Sequence, residues 1–206
     1  MQTNLQELET RLGYSFSHPQ LLERALTHTS FAYEHKSAVT GQACEDYESL
    51  EFLGDAILGF LISDHLFKTH PSQTEGELSK MRSFLVSSTQ LASLSRELDL
   101  GVFLRLGHGE EKTGGRQKKA LLADLFESLI AAIFLDGGLE PARRFVLTQF
   151  RTRLENIREE RLDFQDRKSL LQERLHARGL SEPDYRVIDE LGPDHQKEFV
   201  IEVYIQ

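Results

Sequence analysis

Residues 48–62 read Glu48-Ser49-Leu50-Glu51-Phe52-Leu53-Gly54-Asp55-Ala56-Ile57-Leu58-Gly59-Phe60-Leu61-Ile62. The stretch is apolar nearly all round, which predicts a helix buried on most faces. Yet Glu51 and Asp55 stand four apart, and Glu48 lies one turn earlier on the same side. A second segment repeats the anomaly. Residues 120–135 (ALLADLFESLIAAIFL) form another apolar run, with Asp124 and Glu127 three apart on one face.

An ionised carboxylate taken out of water costs several kcal/mol unless it is paired or ligates a metal. Local pairing is not on offer, because no Lys or Arg stands between Phe52 and Phe67 or between Ala120 and Ala142. Two acidic pairs on two core helices can instead converge on a divalent cation. Clustered carboxylate oxygens, with water in the remaining positions, suit Mg²⁺ or Mn²⁺. Such an ion activates water and stabilises charge on a phosphate oxygen, as phosphodiester hydrolysis requires. Acidic residues on helices are ordinarily just solvated, and Glu48, Asp64 and Asp136 lie nearer helix ends, where Glu48 also suits the helix dipole. Spacing alone leaves a metal site and a solvated acidic face both open.

The surroundings are helical. Leu5, Leu8 and Leu12 recur at helical spacing until Gly13, and Pro19 sits in the first turn of a second helix. Residues 32–44 read as a polar loop. Helices follow over about 46–68, 74–86 and 89–98, then a glycine- and charge-rich loop at 107–115. The apolar helix ends at Asp136-Gly137-Gly138, and Pro141 opens the last one. This is an all-α domain over residues 1–157.

With 206 residues, 39% of them hydrophobic, the chain can bury a core without disulfides, and its single Cys44 excludes a disulfide framework or a cysteine zinc cluster. No apolar run approaches a bilayer span, and the polar, acidic start resembles no targeting peptide, so a cytoplasmic protein with no membrane partner is expected. The formal charge of −9 argues against a generally basic nucleic-acid binder. Residues 1–150 carry 14 basic and 20 acidic side chains, so any nucleic-acid contact must rest on local features.

Residues 158–165 are charge-dense and read as a linker. Beyond them the period changes. Residues 167–178 form a short amphipathic helix through Leu170, Leu171 and Leu175, with Gly179 as its stop. Tyr185 and Val187 begin a strand, residues 192–194 make a turn, and Phe199, Ile201, Val203 and Ile205 alternate with Val200, Glu202 and Tyr204. Residues 166–206 thus read as α-β-β, a marginal unit by itself.

These segments carry a resemblance. EDYESLEFLGDAIL at 45–58 resembles the signature of the bacterial ribonuclease III family, and ALLADLFESLIAAIFLD at 120–136 resembles its second acidic motif. ALTHTS at 25–30, TEGELSKMRSFLVS at 74–87 and LRLGHGEEKTGG at 104–115 support it. KSLLQERLHARG, PDYRV and GPDHQKEF resemble the start of a double-stranded-RNA-binding domain, with its third strand and second helix missing.

The resemblance implies an all-α endonuclease domain followed by a truncated α+β domain, working as a homodimer in which each subunit cuts one strand of an RNA duplex. It implies Mg²⁺ bound by Glu51, Asp124 and Glu127 together with Asp55. Asp55 and Glu127 match the positions designated catalytic, which would position the attacking water and the leaving group. Glu48 and Glu75 match auxiliary acidic positions. Gln172, Glu173 and His195 resemble minor-groove contacts, which read A-form shape and 2′-hydroxyls. Two departures stand out: Ser49 replaces the usual arginine of the signature, and Tyr47 stands where asparagine is common.

Among the remaining side chains, Arg116, Lys118 and Lys119 beside the acidic helix, and Arg143-Arg144, are either a solvated basic face or phosphate contacts. His28 and Thr29 suit the core better than the chemistry. The expected function is Mg²⁺-dependent cleavage of double-stranded RNA to 5′-phosphate and 3′-hydroxyl products, in processing of ribosomal precursors and other structured transcripts. The alternative is a non-catalytic duplex-binding or assembly protein that keeps the fold.

Overall fold

The computed structural model of the chain describes residues 5–35, 45–157, 171–172, 175–191 and 198–205. Its helices, in order, are α1 (Leu5–Leu12), α2 (Pro19–Ala25), α3 (Thr29–Glu34), α4 (Glu48–Thr69), α5 (Glu75–Leu85), α6 (Ser88–Glu97), α7 (His108–Lys112), α8 (Lys119–Gly137), α9 (Leu139–Gln149) and α10 (Arg151–Asn156). Short 3₁₀ turns at Leu100–Phe103 and Gly115–Gln117 complete the helical part. Two antiparallel strands follow, β1 (Asp184–Leu191) and β2 (Glu198–Tyr204). Contacts divide the chain into Met1–Glu155 and Asn156–Gln206.

Helix α8 is central because its sequence is apolar on nearly every side but the one that carries Asp124 and Glu127. It packs against α4, α6, α9 and α2, and every residue from Ser128 to Ile133 is buried. Phe126 is fully buried, with ring centroids 5.5 Å from Phe145 and 6.1 Å from Phe150. Truncating such a ring costs about 3–5 kcal/mol. Helix α5 starts at a complete capping box, in which the Thr74 hydroxyl accepts from the Glu77 amide and Glu77 accepts from the Thr74 amide.

Four local expectations are corrected. Residues 32–34 belong to α3, whose start is capped by the His28 imidazole accepting from the Ser30 amide at 3.1 Å, a cap that no Ser, Thr, Asp or Asn announces. The loop at 107–115 contains the five-residue helix α7, and the final helical stretch breaks at Phe150 into α9 and α10. Helix α4 is not buried on most faces. Leu50, Ile57, Leu58, Leu61, Ile62 and Leu66 point inward, whereas Phe52, Phe60 and Phe67 are 80%, 53% and 72% exposed. With Ala56 they form one apolar stripe along the outer side of the helix.

Two polar ties join distant segments. Asp136, at the end of α8, has no exposed side-chain surface and accepts from the Tyr14 hydroxyl at 2.7 Å, the Ser17 amide at 2.9 Å and the His18 amide at 2.8 Å. Asp64 of α4 pairs with Arg143 of α9 at 2.6 Å and with Lys68 at 2.8 Å. Both acidic residues are structural.

In the second unit, residues 171–172 and 175–177 are helical and Gly179 takes a left-handed φ of 69°. Asp184 pairs with Tyr204 and Val187 with Ile201; the register then slips between Val187 and Asp189, a bulge that period-two reading does not reveal. Val187, Ile188, Ile201 and Val203 remain between 42% and 56% exposed. The expected linker at 158–165 and the turn at 192–194 lie outside the described residues. No helix among the described residues is long and apolar enough to cross a membrane.

Candidate active site

Where α4 crosses α8, the two acidic motifs meet. One carboxylate oxygen from each of Glu51, Asp124 and Glu127 lies within 4.8 Å of the others. Each side chain is half-buried, and among the described residues none of them makes a salt bridge. The close crossing rests on Gly54, because a Cβ there would stand 1.9 Å from the Glu127 carbonyl oxygen. Sequence reading passed over this glycine; its place one residue before Asp55 in an apolar helix was the available signal.

The electrostatics follow from crowding like charges under partial burial. The Glu127 carboxyl is pushed up to about 8, first by burial and then by Asp55, Glu51 and Asp124. Glu51 is raised by burial, Asp124, Glu48 and Asp55. Burial also raises Asp124, against which His28 and its own backbone amide act. Metal-free, Glu127 therefore holds a proton at neutral pH that a cation would displace. Three oxygen donors with no protein cation fit a hard divalent ion.

The other expected residues take varied places. Asp55 is exposed and outside the three-oxygen group, though its charge reaches Glu51 and Glu127. Glu48 is exposed in the first turn of α4. Glu75 begins α5 and accepts from the Ser79 hydroxyl at 2.8 Å. The Lys118 ammonium donates to Glu110 at 2.6 Å and to Thr113, and Lys119 donates to the Thr89 hydroxyl at 3.3 Å. Arg116 is spent within the fold, donating to the carbonyls of Gly101, Val102 and Leu104 and gripping Glu111. Gln172 is half-buried in its helix. Glu173 and His195 lie outside the described residues.

Tyr47 immediately precedes α4. Its amide donates to the Thr27 carbonyl at 3.0 Å, and its buried ring meets His28 edge-on at 5.7 Å. Burial, then Asp124 and Glu51, raises its phenol. Arg24 of α2 also reaches this start of α4, with three contacts on residues 45–49. Neither Arg24 nor its role was visible in the sequence.

Residues 18–154 match the Ribonuclease-III-like family, and residues 168–206 match the double-stranded RNA binding motif. The chain belongs to the ribonuclease III family. It is 43% identical over 201 residues to Ribonuclease 3 of Borreliella afzelii, covering 98% of this chain and 80% of that protein. It is 46% identical over 204 residues to Ribonuclease 3 of Solibacter usitatus, covering 96% and 75%. The crystal structure of the nuclease domain of Campylobacter jejuni ribonuclease III superposes with a TM-score of 0.65 at 37% identity, over 74% of this chain and 97% of that one. Another structure of that domain concerns flexibility in the region involved in dimer formation.

As a ribonuclease III family member, the chain is an endoribonuclease that carries a double-stranded-RNA-binding motif. The family is metal-dependent, and the three-carboxylate cluster on α4 and α8 is an acidic site of the kind a metal requires.

Proposed function

We propose that the chain cleaves double-stranded RNA with Mg²⁺ held by Glu51, Asp124 and Glu127, Mn²⁺ being able to substitute. The observation that carries this reading is the convergence of three carboxylate oxygens within 4.8 Å on two apolar helices. A divalent cation bound there supplies Lewis-acid stabilisation of charge on a phosphate oxygen and makes water easier to deprotonate. The chain's own residues do the rest. Glu127 gives up its proton as the site is filled, and half-burial of the cluster keeps its charges strong. Asp55, at the exposed rim, orients the attacking water and accepts its proton. Attack at phosphorus breaks the bond to the 3′ oxygen, which takes a proton from solvent water, leaving a 5′-phosphate on one fragment and a 3′-hydroxyl on the other.

Two copies complete the arrangement. The outer stripe of α4, with Phe52, Ala56 and Phe60 next to Asp55, is an apolar surface of the kind that associates. Pairing of this stripe across a twofold axis brings two acidic clusters to one duplex, one for each strand. We read residues 1–157 as the catalytic domain, 158–165 as the connection and 166–206 as the duplex-binding part. Gln172, Glu173 and His195 would follow the minor groove, while Lys118 and Lys119 meet phosphates. Such recognition reads duplex shape, which suits ribosomal precursors and other folded transcripts in the cytoplasm. Incubation with long duplex RNA, with and without Mg²⁺, tests the reading on a denaturing gel: fragments ending in 5′-phosphate and 3′-hydroxyl only with Mg²⁺ support it, and an intact duplex contradicts it.

A further inference from the structure

The approach to α4 and its first turn are crowded with negative charge: Glu45, Asp46, Glu48 and Glu51 fall within seven residues. Across from them stand Asp124 and Glu127. The turn that has to present Glu51 to α8 is therefore under repulsion, and it holds no cation of its own. The structure answers from another helix. Arg24 of α2 donates from Nε to the Asp46 carbonyl at 3.0 Å and from Nη2 to the Ser49 hydroxyl at 2.6 Å, and Nη1 pairs with Glu45 at 3.1 Å. These three contacts use the planar fork of a guanidinium, which a lysine cannot reproduce.

We propose that Arg24 is a positioning residue for the acidic cluster, fixing the start of α4 from α2 and so supplying the cation that this turn lacks. It acts through residues 45–49 and does not touch the cluster. The inference rests on the reading of Glu51, Asp124 and Glu127 as the metal site. Its sign separates it from simpler roles. A cation that merely stood near the site would repel a metal, so its removal would tighten metal binding. An arginine that merely tied α2 to α4 would lower the melting temperature and leave affinity unchanged. A positioning residue weakens metal binding when lost, as supporting contacts around metal ligands do by about 10–100-fold.

The experiment uses the full chain and Mn²⁺ alone as the probe, with free Mn²⁺ followed by electron paramagnetic resonance alongside thermal melting. Arg24→Gln should weaken Mn²⁺ binding about tenfold, and Arg24→Gln/Ser49→Arg should recover most of it. Steady-state cleavage of duplex RNA should show the loss in kcat, with KM near the parent's. Arg24→Lys, which keeps the charge, should fall between the two and serves if the glutamine variant does not fold. Unchanged or tighter Mn²⁺ binding in a folded Arg24 variant overturns the proposal, as does a double variant no better than the single one. Glu51→Gln is measured in parallel: if it binds Mn²⁺ like the parent, it is the metal-site reading that fails, whatever Arg24 does.

Discussion

Gly54 of α4 lies against the backbone of Glu127 of α8, so that a Cβ at position 54 would meet the Glu127 carbonyl oxygen at 1.9 Å and its carbonyl carbon at 2.5 Å. The approach that brings Glu51 to Asp124 and Glu127 is made at this point, one residue before Asp55. In an open helix, glycine to alanine stabilises by about 1 kcal/mol. Here the opposite sign is expected. Gly54→Ala should destabilise the chain by about 1–3 kcal/mol as α4 and α8 separate, and Mg²⁺-dependent cleavage should fall with it. Urea unfolding decides; a variant as stable as the parent contradicts the close crossing.

The raised Glu127 carboxyl makes the metal-free chain sensitive to pH. Its value near 8 lies above the ordinary 4.5, so the folded state holds a proton that the unfolded state has lost. Between those values unfolding releases protons, and stability declines as pH rises from about 4.5 to about 8. Melting temperatures measured with a chelator should fall across this window, and Mg²⁺ should recover the loss most strongly at its upper end. Glu127→Gln should flatten the slope. An equal slope in that variant would remove Glu127 as its source.

Asp136 predicts the reverse at acid pH. Burial pushes its carboxyl up, but donors from Tyr14, Ser17 and His18 outweigh that and hold it at about 2, below the ordinary 3.8. Its contribution is present above about 3.8 and is lost as pH falls through about 2. Asp136→Asn should therefore lower stability at neutral pH and weaken the acid dependence below pH 4. Tyr14→Phe, which removes one donor, should cost about 1 kcal/mol at pH 7. Chemical denaturation at the two pH values checks both.

Much of this site was legible because charge is conspicuous on an apolar helix. Glu51, Asp124 and Glu127 declared themselves by interrupting runs of Leu, Ile and Phe. The partners that hold them did not. Arg24 lies 25 residues from Ser49, and Arg143 lies 79 from Asp64. Only the packed structure pairs them, and an arginine in a helix looks the same whether solvated or engaged. Arg116, read as either solvated or a phosphate contact, caps three carbonyls of the preceding 3₁₀ turn and its end. The helices α3 and α7 escaped notice for a related reason: one is capped by a histidine and the other is five residues long between glycines. The exposed phenylalanines of α4 carry the opposite lesson, since an all-apolar helix need not be buried by its own chain.

That stripe predicts assembly. Phe52→Asp/Phe60→Asp places two charges on the outer face of α4 without touching its buried side. The parent should sediment as a dimer and the variant as a monomer of unchanged helicity. Loss of coordinated cutting of both strands should accompany the change. A parent that is monomeric at micromolar concentration would contradict the paired arrangement.

The most direct measurement is duplex RNA cleavage by Glu127→Gln. The substitution keeps the size of the side chain and removes one charge from the three-carboxylate cluster. Glu155→Gln, an exposed change on α10 far along the chain from both acidic motifs, is the control. The account predicts that Glu127→Gln binds duplex RNA as the parent does but cuts it slower by orders of magnitude, since metal assistance supplies several kcal/mol of the barrier reduction. A folded Glu127→Gln chain that cleaves duplex RNA at the parental rate would contradict it.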